Sequence, residues 1–320
     1  MNLTDKLKIA LKNRKTLLSN QSCLRIFDAS GDGVSNLVVD ALGTILLVHD
    51  YSGDGLSKSD LQEICKPLDA ENIWRSIYYW QRKPQPEAAE VYLLSGEAST
   101  EEVIDVDGIK LLIRPERAPN AGLFIDSAPL RQFILNEWKG KRVINTFAYT
   151  GSLGLAALFA GAEEVIQVDS NAAILGWARE NYELNKDKVS GSMRFIEEDV
   201  ISFLRRENRR IKSGKKPACD LIILDPPTIG HSQNGMFRVE HDLPKLIEVS
   251  IDMIKPGGCL SVTVNNSSFN FDDIEILLEK ASGEVARSIE VVKKISPPEP
   301  EFSSDLAVSS VMRGIIVKVF

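Results

Sequence analysis

Residues 145–171 read NTFAYTGSLGLAALFAGAEEVIQVDSN, a polar turn followed by an apolar helical pattern and a β-like run. The turn holds two glycines, Gly151 and Gly154. A dinucleotide-binding turn spaces three as Gly-x-Gly-x-x-Gly, so that a pyrophosphate can approach the helix N-terminus. Asp169 ends the β-like run, where an acidic side chain can accept hydrogen bonds from both ribose hydroxyls. The stretch therefore predicts an adenosyl ligand that lacks a pyrophosphate.

S-adenosylmethionine meets this description, because it carries no phosphate and its sulfonium, amino and carboxylate groups need one close-approach turn and a few polar contacts. We expect this cofactor above Gly151, with its ribose on Asp169. Asp169 could instead begin a helix cap within Asp169-Ser170-Asn171, and the two roles are compatible. Asp199 follows the next β-like run, where a carboxylate could receive the adenine amino group.

The region after Pro115 alternates strand-like and helix-like runs, which predicts a parallel sheet with crossover helices. Residues 221–224 are apolar on both faces, as in a central parallel strand. The closing runs SIEVVKK and GIIVKVF add two strands at the end of the chain. The predicted fold class is α/β, with a doubly wound, seven-stranded Rossmann-like domain over residues 119–320.

Residues 1–118 have a different pattern and predict a small α+β domain. A basic amphipathic helix covers residues 4–18, and a second helix near residues 58–68 separates two groups of strands. The runs NLVVD and TILLVHDY flank the turn Ala41-Leu42-Gly43, and EVIDV and IKLLI flank Asp107-Gly108, a strong hairpin signal. No catalytic motif is evident in this half.

Composition restricts the class of protein. The 320 residues are 43% hydrophobic, enough for a large core and two domains. No run approaches the eighteen or so apolar residues of a membrane span and no leader pattern is visible, so we expect a cytoplasmic protein without membrane partners. The four cysteines form no Cys-x-x-Cys pair, and we expect no metal site.

The net charge of −7 disfavours a protein whose whole surface binds nucleic acid, although local basic patches are compatible with it. One patch is the N-terminal helix, with Lys6, Lys8, Lys12, Arg14 and Lys15. The other, referred to below as the second basic patch, comprises Arg205, Arg206, Arg209, Arg210, Lys212, Lys215 and Lys216. Each could contact RNA phosphates, and each is more often a solvated helix face.

Asp225-Pro226-Pro227-Thr228 ends the fourth predicted strand, at the carboxyl edge where open α/β sheets bind ligands. The prolines remove two backbone donors, so the Asp225 side chain and the carbonyls around Pro226 remain as acceptors. Acceptors beside a methyl donor suit the orientation of an amine or a base edge. A plain strand-ending turn is the alternative.

Taken together, these motifs resemble the class I methyltransferases that modify large-subunit ribosomal RNA at cytosine C5 or guanine N7. The resemblance covers roughly residues 24–320 and rests on the segments Asn120-Ala121-Gly122-Leu123-Phe124-Ile125-Asp126 with Arg131, Asn145-Thr146-Phe147-Ala148-Tyr149-Thr150-Gly151, Asp169, Asp225-Pro226-Pro227-Thr228 and Asn265-Asn266. It implies that the first segment covers the cofactor, that the second wraps its methionine and ribose, and that the N-terminal domain helps to form the substrate cleft. The expected cofactor contacts are Phe124, Asp126, Asn145, Thr146, Phe147, Ala148, Tyr149, Thr150, Gly151, Ser152, Leu153, Asp169, Ser170, Asn171, Asp199, Val200 and Asp225.

Two features depart from the cytosine-C5 enzymes. Those enzymes are expected to carry an N-terminal RNA-binding domain of the PUA type, for which we expect no counterpart in this sequence, and a thiolate that adds to C6 of the pyrimidine. The segment after the fifth strand reads Val264-Asn265-Asn266-Ser267-Ser268, and Cys219 and Cys259 precede their strands. We therefore expect direct methyl transfer to a nitrogen lone pair.

The expected catalytic residues are Asp225, Pro226, Thr228 and Asn265, and the expected partner is RNA. The loop Thr228-Ile229-Gly230-His231-Ser232-Gln233-Asn234 resembles that of the guanine-N7 group, with Ile229 where phenylalanine is frequent, and His231 is interpreted as a surface histidine. The sequence leaves open a cytosine-C5 enzyme, a small-molecule or protein methyltransferase, and a degenerate cofactor-binding module. It also leaves open a homodimer.

Overall fold

The computed structural model describes residues 1–71, 73–82, 90–117, 120–232, 235–266, 268–299, 301–302 and 312–320. The chain divides into two compact units. The N-terminal unit comprises Met1–Asp126 and Pro297–Ser310, and the C-terminal unit comprises Ser127–Ser296 and Val311–Phe320. The domain boundary expected between residues 118 and 119 lies outside the described residues and stays a prediction.

The N-terminal unit combines a five-stranded sheet with two helices and a separate hairpin. Its elements are α1 (Leu3–Leu18), β1 (Cys23–Asp28), β2 (Leu37–Leu42), β3 (Ile45–Asp50), α2 (Lys58–Asp69), β4 (Ser76–Gln81), β5 (Glu90–Gly96), β6 (Glu102–Val106) and β7 (Ile109–Ile113), with a short 3₁₀ helix at Ala29–Asp32. The five-stranded sheet has the order β1-β2-β3-β4-β5. Strands β3 and β4 are parallel and the other neighbours antiparallel, so α2 is the crossover between them.

Helix α1 buries Leu7, Ala10 and Leu11 in the core of this unit. Arg14, expected on the basic face, is buried instead and forms a paired contact with Asp32 at 2.8 and 3.1 Å. Two parallel hydrogen bonds from a guanidinium to a carboxylate compensate the desolvation of both charges. The first basic patch is therefore smaller than the sequence indicated.

Both hairpins of the N-terminal half are present. Residues Asp107 and Gly108, with φ angles of +58° and +84°, connect β6 to β7 as expected for this turn type. The other turn was misplaced, because β2 continues to Leu42 and the reversal occurs at Gly43-Thr44.

The C-terminal unit is a seven-stranded sheet with helices between its strands. Its elements are α3 (Ala128–Asn136), β8 (Arg142–Thr146), α4 (Ser152–Phe159), β9 (Glu164–Asp169), α5 (Ala172–Glu183), β10 (Ser192–Glu197), α6 (Val200–Lys212), β11 (Cys219–Leu224), β12 (Ile229–Ser232), β13 (Gly235–Arg238), α7 (Val239–Met253), β14 (Ile254–Asn265), α8 (Phe271–Glu284), β15 (Ile289–Ile295) and β16 (Met312–Val319), with a short 3₁₀ helix at Lys186–Lys188.

The sheet order is β10-β9-β8-β11-β14-β16-β15. The first five strands are parallel, and β16 is antiparallel to both of its neighbours. The doubly wound α/β fold and its closing antiparallel pair are thus confirmed. Strand β11 is central and its residues are buried, as the apolar run predicted. The carboxyl ends of β8, β9, β11 and β14 meet at one edge of the sheet.

Four elements differ from the sequence-based expectation. Helix α3 and the hairpin of β12 and β13 were not predicted, because short segments with mixed polarity carry little periodicity. Strand β14 begins at Ile254, whereas Leu260 was expected. It contains a bulge, since Cys219 pairs with Ile254 but Leu221 pairs with Cys259.

Helix α4 lies close to β9 because Gly154 has no side chain. A Cβ atom at Gly154 would overlap the side-chain amide of Gln167 on β9. Gly176, in the interior of α5, offers a contrast, since a Cβ atom there would meet nothing within 4 Å. The packing therefore excludes a side chain at Gly154 and leaves room for one at Gly176.

We predict that Gly154→Ala lowers the free energy of unfolding by about 1–3 kcal/mol through overpacking. The matched control Gly176→Ala should raise it by about 0.5–1 kcal/mol, because alanine restricts the unfolded chain and favours the helix. Urea denaturation of both variants measures the difference. Equal stability of the two variants would contradict the packing described here.

Candidate cofactor and active site

The turn between β8 and α4 has an unusual backbone conformation. Phe147, Tyr149 and Gly151 have φ angles of +50°, +50° and +83°. Positive φ is uncommon for bulky residues, and it persists only where surrounding contacts determine it. The residues that hold this turn therefore decide the shape of the site.

Strand β9 supplies part of this support. The backbone N–H of Ala148 donates to the carbonyl of Val168 at 3.0 Å. The backbone N–H of Tyr149 donates to Oδ2 of Asp169 at 3.1 Å. The turn thus continues the pairing between β8 and β9 beyond the end of the regular ladder.

Buried amide side chains supply the rest. Gln167 Nε2 donates to the Gly151 carbonyl at 3.1 Å, and Asn145 Nδ2 donates to Gln167 Oε1 at 2.7 Å. Asn181 Nδ2 donates to the Thr150 carbonyl at 2.9 Å. All three amides are buried, so these bonds form where water does not compete. Two successive carbonyls of the turn are thereby fixed in orientation.

This network revises the role of the two glycines. The sequence suggested that they let a ligand approach, whereas in the structure Cβ atoms at Gly151 and Gly154 would lie against the Gln167 amide. Gln167 and Asn181 were missed by sequence reasoning. A glutamine inside the otherwise apolar run EVIQV was the available signal, since a buried polar group must find partners.

Asn145 was expected to contact the cofactor and lies beneath the turn. Within the described residues, its Oδ1 atom is buried and accepts no hydrogen bond. The neighbouring Thr146 hydroxyl donates to the Ile223 carbonyl at 2.7 Å and so ties β8 to β11. Contact of either side chain with the cofactor stays a prediction.

Asp169 combines partial burial with backbone hydrogen bonds. Its Oδ1 accepts from the Asn171 N–H at 3.0 Å, in addition to the bond from Tyr149 to Oδ2. Burial raises the pKa of this carboxyl group, and the hydrogen bonds from Asn171, Tyr149 and Ser170 offset part of that effect. A carboxylate has about four acceptor positions, so these bonds orient it and leave capacity for a ligand hydroxyl.

The helix cap that follows belongs to Asn171. Its Oδ1 accepts from the N–H groups of Ala173 and Ile174 at 3.0 and 3.2 Å. Asp169 is therefore not the capping residue of α5. Because Asn171 caps α5, the Asp169 carboxylate is not used as the helix cap and is the polar group at the end of β9.

The remaining residues expected to contact the cofactor differ in burial and in the elements to which they belong. Asp199 caps α6 by accepting from the Ser202 N–H at 2.9 Å, and Val200 is buried in the core. Ser152 and Leu153 begin α4, and Ser170 is exposed. Phe124, 38% exposed, and Asp126 belong to the N-terminal unit. Their roles stay predictions.

Asp225 follows directly on β11 and is held by β14. Thr263 Oγ1 donates to Oδ1 of Asp225 at 2.5 Å and lies 3.2 Å from the Leu224 carbonyl. The Thr228 hydroxyl donates to the Asn265 carbonyl at 2.8 Å. The ends of the two strands are thus joined on both sides of the Pro226-Pro227 pair.

This arrangement presents acceptors at the carboxyl edge of the sheet. Asp225 is half-buried, Pro226 is buried, and Thr228 and Asn265 are exposed. Asn265 acts on Thr228 through its backbone carbonyl, a contact that residue identity alone could not predict. Arg131, part of the expected motif, is buried in α3.

A hairpin of β12 and β13 follows Thr228. Phe237, on its buried face, packs against Phe147 of the turn with ring centroids 5.3 Å apart. On the opposite face Ile229 is 59% and Met236 is 51% exposed. The hairpin therefore connects the turn to an exposed apolar surface. Gln233 and Asn234 lie outside the described residues.

The cysteines of the C-terminal unit lie away from this edge. Cys219 begins β11, six residues or roughly 20 Å before Asp225. Burial raises its pKa to about 12, although the charge of Arg142 acts in the opposite direction. Cys259 pairs with Leu221 near the start of β11, and burial raises its pKa as well.

The described residues contain no group of three or more His, Cys, Asp or Glu side chains arranged to hold a metal ion. In the described part of the chain, every helix is too short or too polar to cross a membrane.

A model of the S-adenosylmethionine-dependent methyltransferase family matches residues 36–317, which include both the turn and Asp225. The chain belongs to this family. The cofactor of this family is S-adenosylmethionine, and the family is one of methyltransferases.

Two curated relatives carry more specific names. The chain is 30% identical to the ribosomal RNA large subunit methyltransferase I of Aeromonas salmonicida, over 80% of this chain and 64% of that protein. It is 29% identical to the ribosomal RNA large subunit methyltransferase K/L of Pseudoalteromonas atlantica, over 79% of this chain and 36% of that protein. The alignment therefore spans less than two thirds of either relative.

A solved methyltransferase complexed with SAH has the same fold, with a TM-score of 0.85 at 19% identity. The alignment covers 98% of this chain and 80% of that structure.

We predict that Asp169→Asn weakens binding of S-adenosylhomocysteine by about tenfold or more, because hydrogen bonds to a charged group contribute about 1.5–3 kcal/mol. Wild-type affinity should also fall as the pH is lowered, beginning above the ordinary carboxyl pKa of about 3.9, because the raised pKa of Asp169 lets it protonate early. Isothermal titration calorimetry measures both effects.

The exposed residue Asp187 provides the matched control, since Asp187→Asn should bind as the wild type does. An Asp169→Asn protein with wild-type affinity and the same pH profile would show that the ribose does not bind here.

Proposed function

We propose that this protein methylates a nitrogen of an RNA base, in ribosomal RNA, by direct transfer and in the manner of guanine-N7 enzymes. The observation that carries the proposal is the Asp225-Pro226-Pro227-Thr228 edge, which presents hydrogen-bond acceptors and has no thiol within reach in the C-terminal unit. The names of the two curated relatives support RNA as the substrate class.

The chain's residues fit the cofactor. The turn at residues 147–151 is held by hydrogen bonds and Asp169 faces it with acceptor capacity. In the described part of the chain, the buried Oδ1 of Asn145 beneath the turn accepts no hydrogen bond. When bound, S-adenosylmethionine supplies an electrophilic methyl group that a nitrogen lone pair takes as the carbon–sulfur bond breaks.

Asp225 orients the acceptor in this proposal. Its carboxylate, fixed by Thr263, accepts from an N–H donor such as the amino group of guanine. The carbonyls around Pro226 act in the same way, and Thr228 with Asn265 fixes the distance between the two strand ends. Guanine N7 carries a lone pair and no proton, so alignment and proximity are sufficient and no general base is needed.

The thiol environments disfavour cytosine-C5 chemistry. That reaction needs a thiolate at the base, whereas burial raises the pKa of both Cys219 and Cys259. In the N-terminal unit Cys23 is buried, and burial with the charge of Asp69 raises the pKa of Cys65 to about 11. The raised pKa values keep Cys65, Cys219 and Cys259 protonated at neutral pH.

The second basic patch lies on and just after α6, and internal pairing reduces its net charge. Arg206 pairs with Glu198 at 2.6 Å and Lys212 with Asp252 at 2.5 Å. Arg205 and Arg209 are exposed. We assign the remaining charge a supporting role in attracting RNA phosphates.

We predict that Asp225→Ala lowers methyl transfer to ribosomal RNA by about a hundredfold, through lost positioning. The control, Cys219→Ala with Cys259→Ala, should keep turnover within a few-fold of the wild type. The assay uses labelled S-adenosylmethionine and ribosomal RNA from cells in which the gene is deleted, followed by mass spectrometry of the nucleosides.

A covalent complex between the protein and RNA containing 5-fluorocytosine, abolished by either cysteine replacement, would refute direct transfer. Label in protein or in small molecules alone would refute the RNA substrate.

A further inference from the structure

The hairpin of β12 and β13 has two unlike faces. In its antiparallel register Ile229 is paired with Arg238. Because alternate residues of a strand lie on the same side, Ile229, Met236 and Arg238 share one face, and Gly230 and Phe237 share the other. Ile229 and Met236 are each more than half exposed, and Arg238 is exposed as well. We refer to the side chains of Ile229, Met236 and Arg238 as the outer face of the hairpin.

The opposite face holds the hairpin against the candidate site. Phe237 is buried and packs on Phe147 of the turn, with ring centroids 5.3 Å apart. A Cβ atom at Gly230 would lie 3.2 Å from Cγ of Pro227, so the hairpin lies close to the prolines that follow β11. The outer face therefore belongs to a segment that is anchored on both the turn and the end of the central strand.

The hairpin also begins next to the acceptors of the candidate site. The backbone N–H of Val239 donates to the Thr228 carbonyl at 3.1 Å and closes the base of the hairpin. Ile229 follows Asp225 by four residues, which span at most about 14 Å when fully extended. An RNA strand whose target base is oriented by Asp225 would therefore bring a neighbouring nucleotide to the outer face.

The guanidinium of Arg238 is the charged part of the outer face. Its Nε donates to the Met236 sulfur at 3.4 Å, which places the charge beside an apolar side chain. The carboxylate of Asp242 accepts from the backbone N–H of Arg238 at 2.8 Å. Glu240, the other acidic residue in the first turn of α7, is exposed. Among the described residues, no carboxylate lies within ion-pair distance of the Arg238 guanidinium.

This combination matches the two parts of a nucleotide. A base presents a flat apolar surface that packs on exposed apolar side chains, and a phosphate is attracted to a nearby cation. Ile229 and Met236 are diagonal neighbours across the two strands, and such side chains are within reach of each other. The outer face therefore offers an apolar pair for a base and a guanidinium for the phosphate next to it.

We propose that the outer face binds the nucleotide next to the methylated one, with its base against Ile229 and Met236 and its phosphate beside Arg238. This inference rests on the RNA substrate proposed above. It extends the substrate contacts beyond the Asp225-Pro226-Pro227-Thr228 edge to a hairpin that the sequence did not predict.

The same unit offers a matched control for each contact. Ile276 on α8 is 61% exposed and tests the loss of an exposed isoleucine elsewhere. Arg179 on α5 is exposed, and its guanidinium carbon lies 5.1 Å from the ring centroid of Phe195. Arg179→Gln therefore removes an exposed arginine charge that has an apolar neighbour but lies on another element.

The test measures fluorescence anisotropy of a short fluorescein-labelled single-stranded RNA of mixed sequence. Ile229→Ala should raise Kd by about fivefold, because the apolar area that the base covers is lost. Arg238→Gln should raise Kd by about tenfold, through the loss of one phosphate contact. Ile276→Ala and Arg179→Gln should bind as the wild type does. Thermal unfolding and S-adenosylhomocysteine affinity should be unchanged in all four variants.

Salt dependence separates the two contacts. Between about 50 and 200 mM potassium chloride, Arg238→Gln should reduce the slope of log Kd against log salt by about one, and Ile229→Ala should leave it unchanged.

Methylation kinetics separate binding from chemistry. Ile229→Ala and Arg238→Gln should raise the KM for ribosomal RNA and leave kcat near the wild-type value, because the neighbouring nucleotide is held equally before and during methyl transfer.

Wild-type RNA affinity in both Ile229→Ala and Arg238→Gln would overturn the outer face as a binding site, while methylation of ribosomal RNA by the wild type would still support the proposed function. A wild-type protein that binds no RNA would overturn both. Weaker RNA binding in the two variants, without methylation of RNA by the wild type, would support the outer face and overturn the proposed reaction alone.

Discussion

The side-chain amide of Gln167 is the contact on which the turn at residues 147–151, the candidate cofactor site, depends. It donates to the Gly151 carbonyl and accepts from Asn145, so one buried group links β8, β9 and the start of α4. A Cβ atom at Gly151 or Gly154 would lie against this amide, which explains why both positions are glycine. Gln167 holds the Gly151 carbonyl in place. With this carbonyl held, the turn forms its backbone hydrogen bonds in a conformation with positive φ angles at Phe147 and Tyr149.

The rest of the site follows from the parallel topology. Because β9, β11 and β14 end at the same edge, Asp169 and Asp225 arise on different strands yet belong to one edge of the sheet. Thr263 fixes the Asp225 carboxylate by a hydrogen bond, and the contact of Phe147 with Phe237 connects the turn to the hairpin after Thr228. A methyl transfer that needs alignment more than acid or base groups suits such a rigid set of acceptors.

Periodicity and motif spacing predicted the long strands, their helices and the closing antiparallel pair, since buried parallel strands are apolar throughout. They also singled out Asp169 and Asp225, whose roles in cofactor binding and catalysis stay predictions. They did not identify Gln167, Asn181 or Thr263, whose roles depend on which strands are neighbours. They placed Arg14 on a solvated face, because pairing with Asp32 is invisible in sequence.

A crystal structure of the protein with S-adenosylhomocysteine tests the central claim most directly. We predict that the ribose hydroxyls lie within hydrogen-bond distance of Asp169, and that the bonds from Gln167 to Gly151 and from Asn145 to Gln167 are retained. Adenosine bound at another edge of the sheet, or a turn that breaks the Gln167 bonds to admit the ligand, would contradict the account.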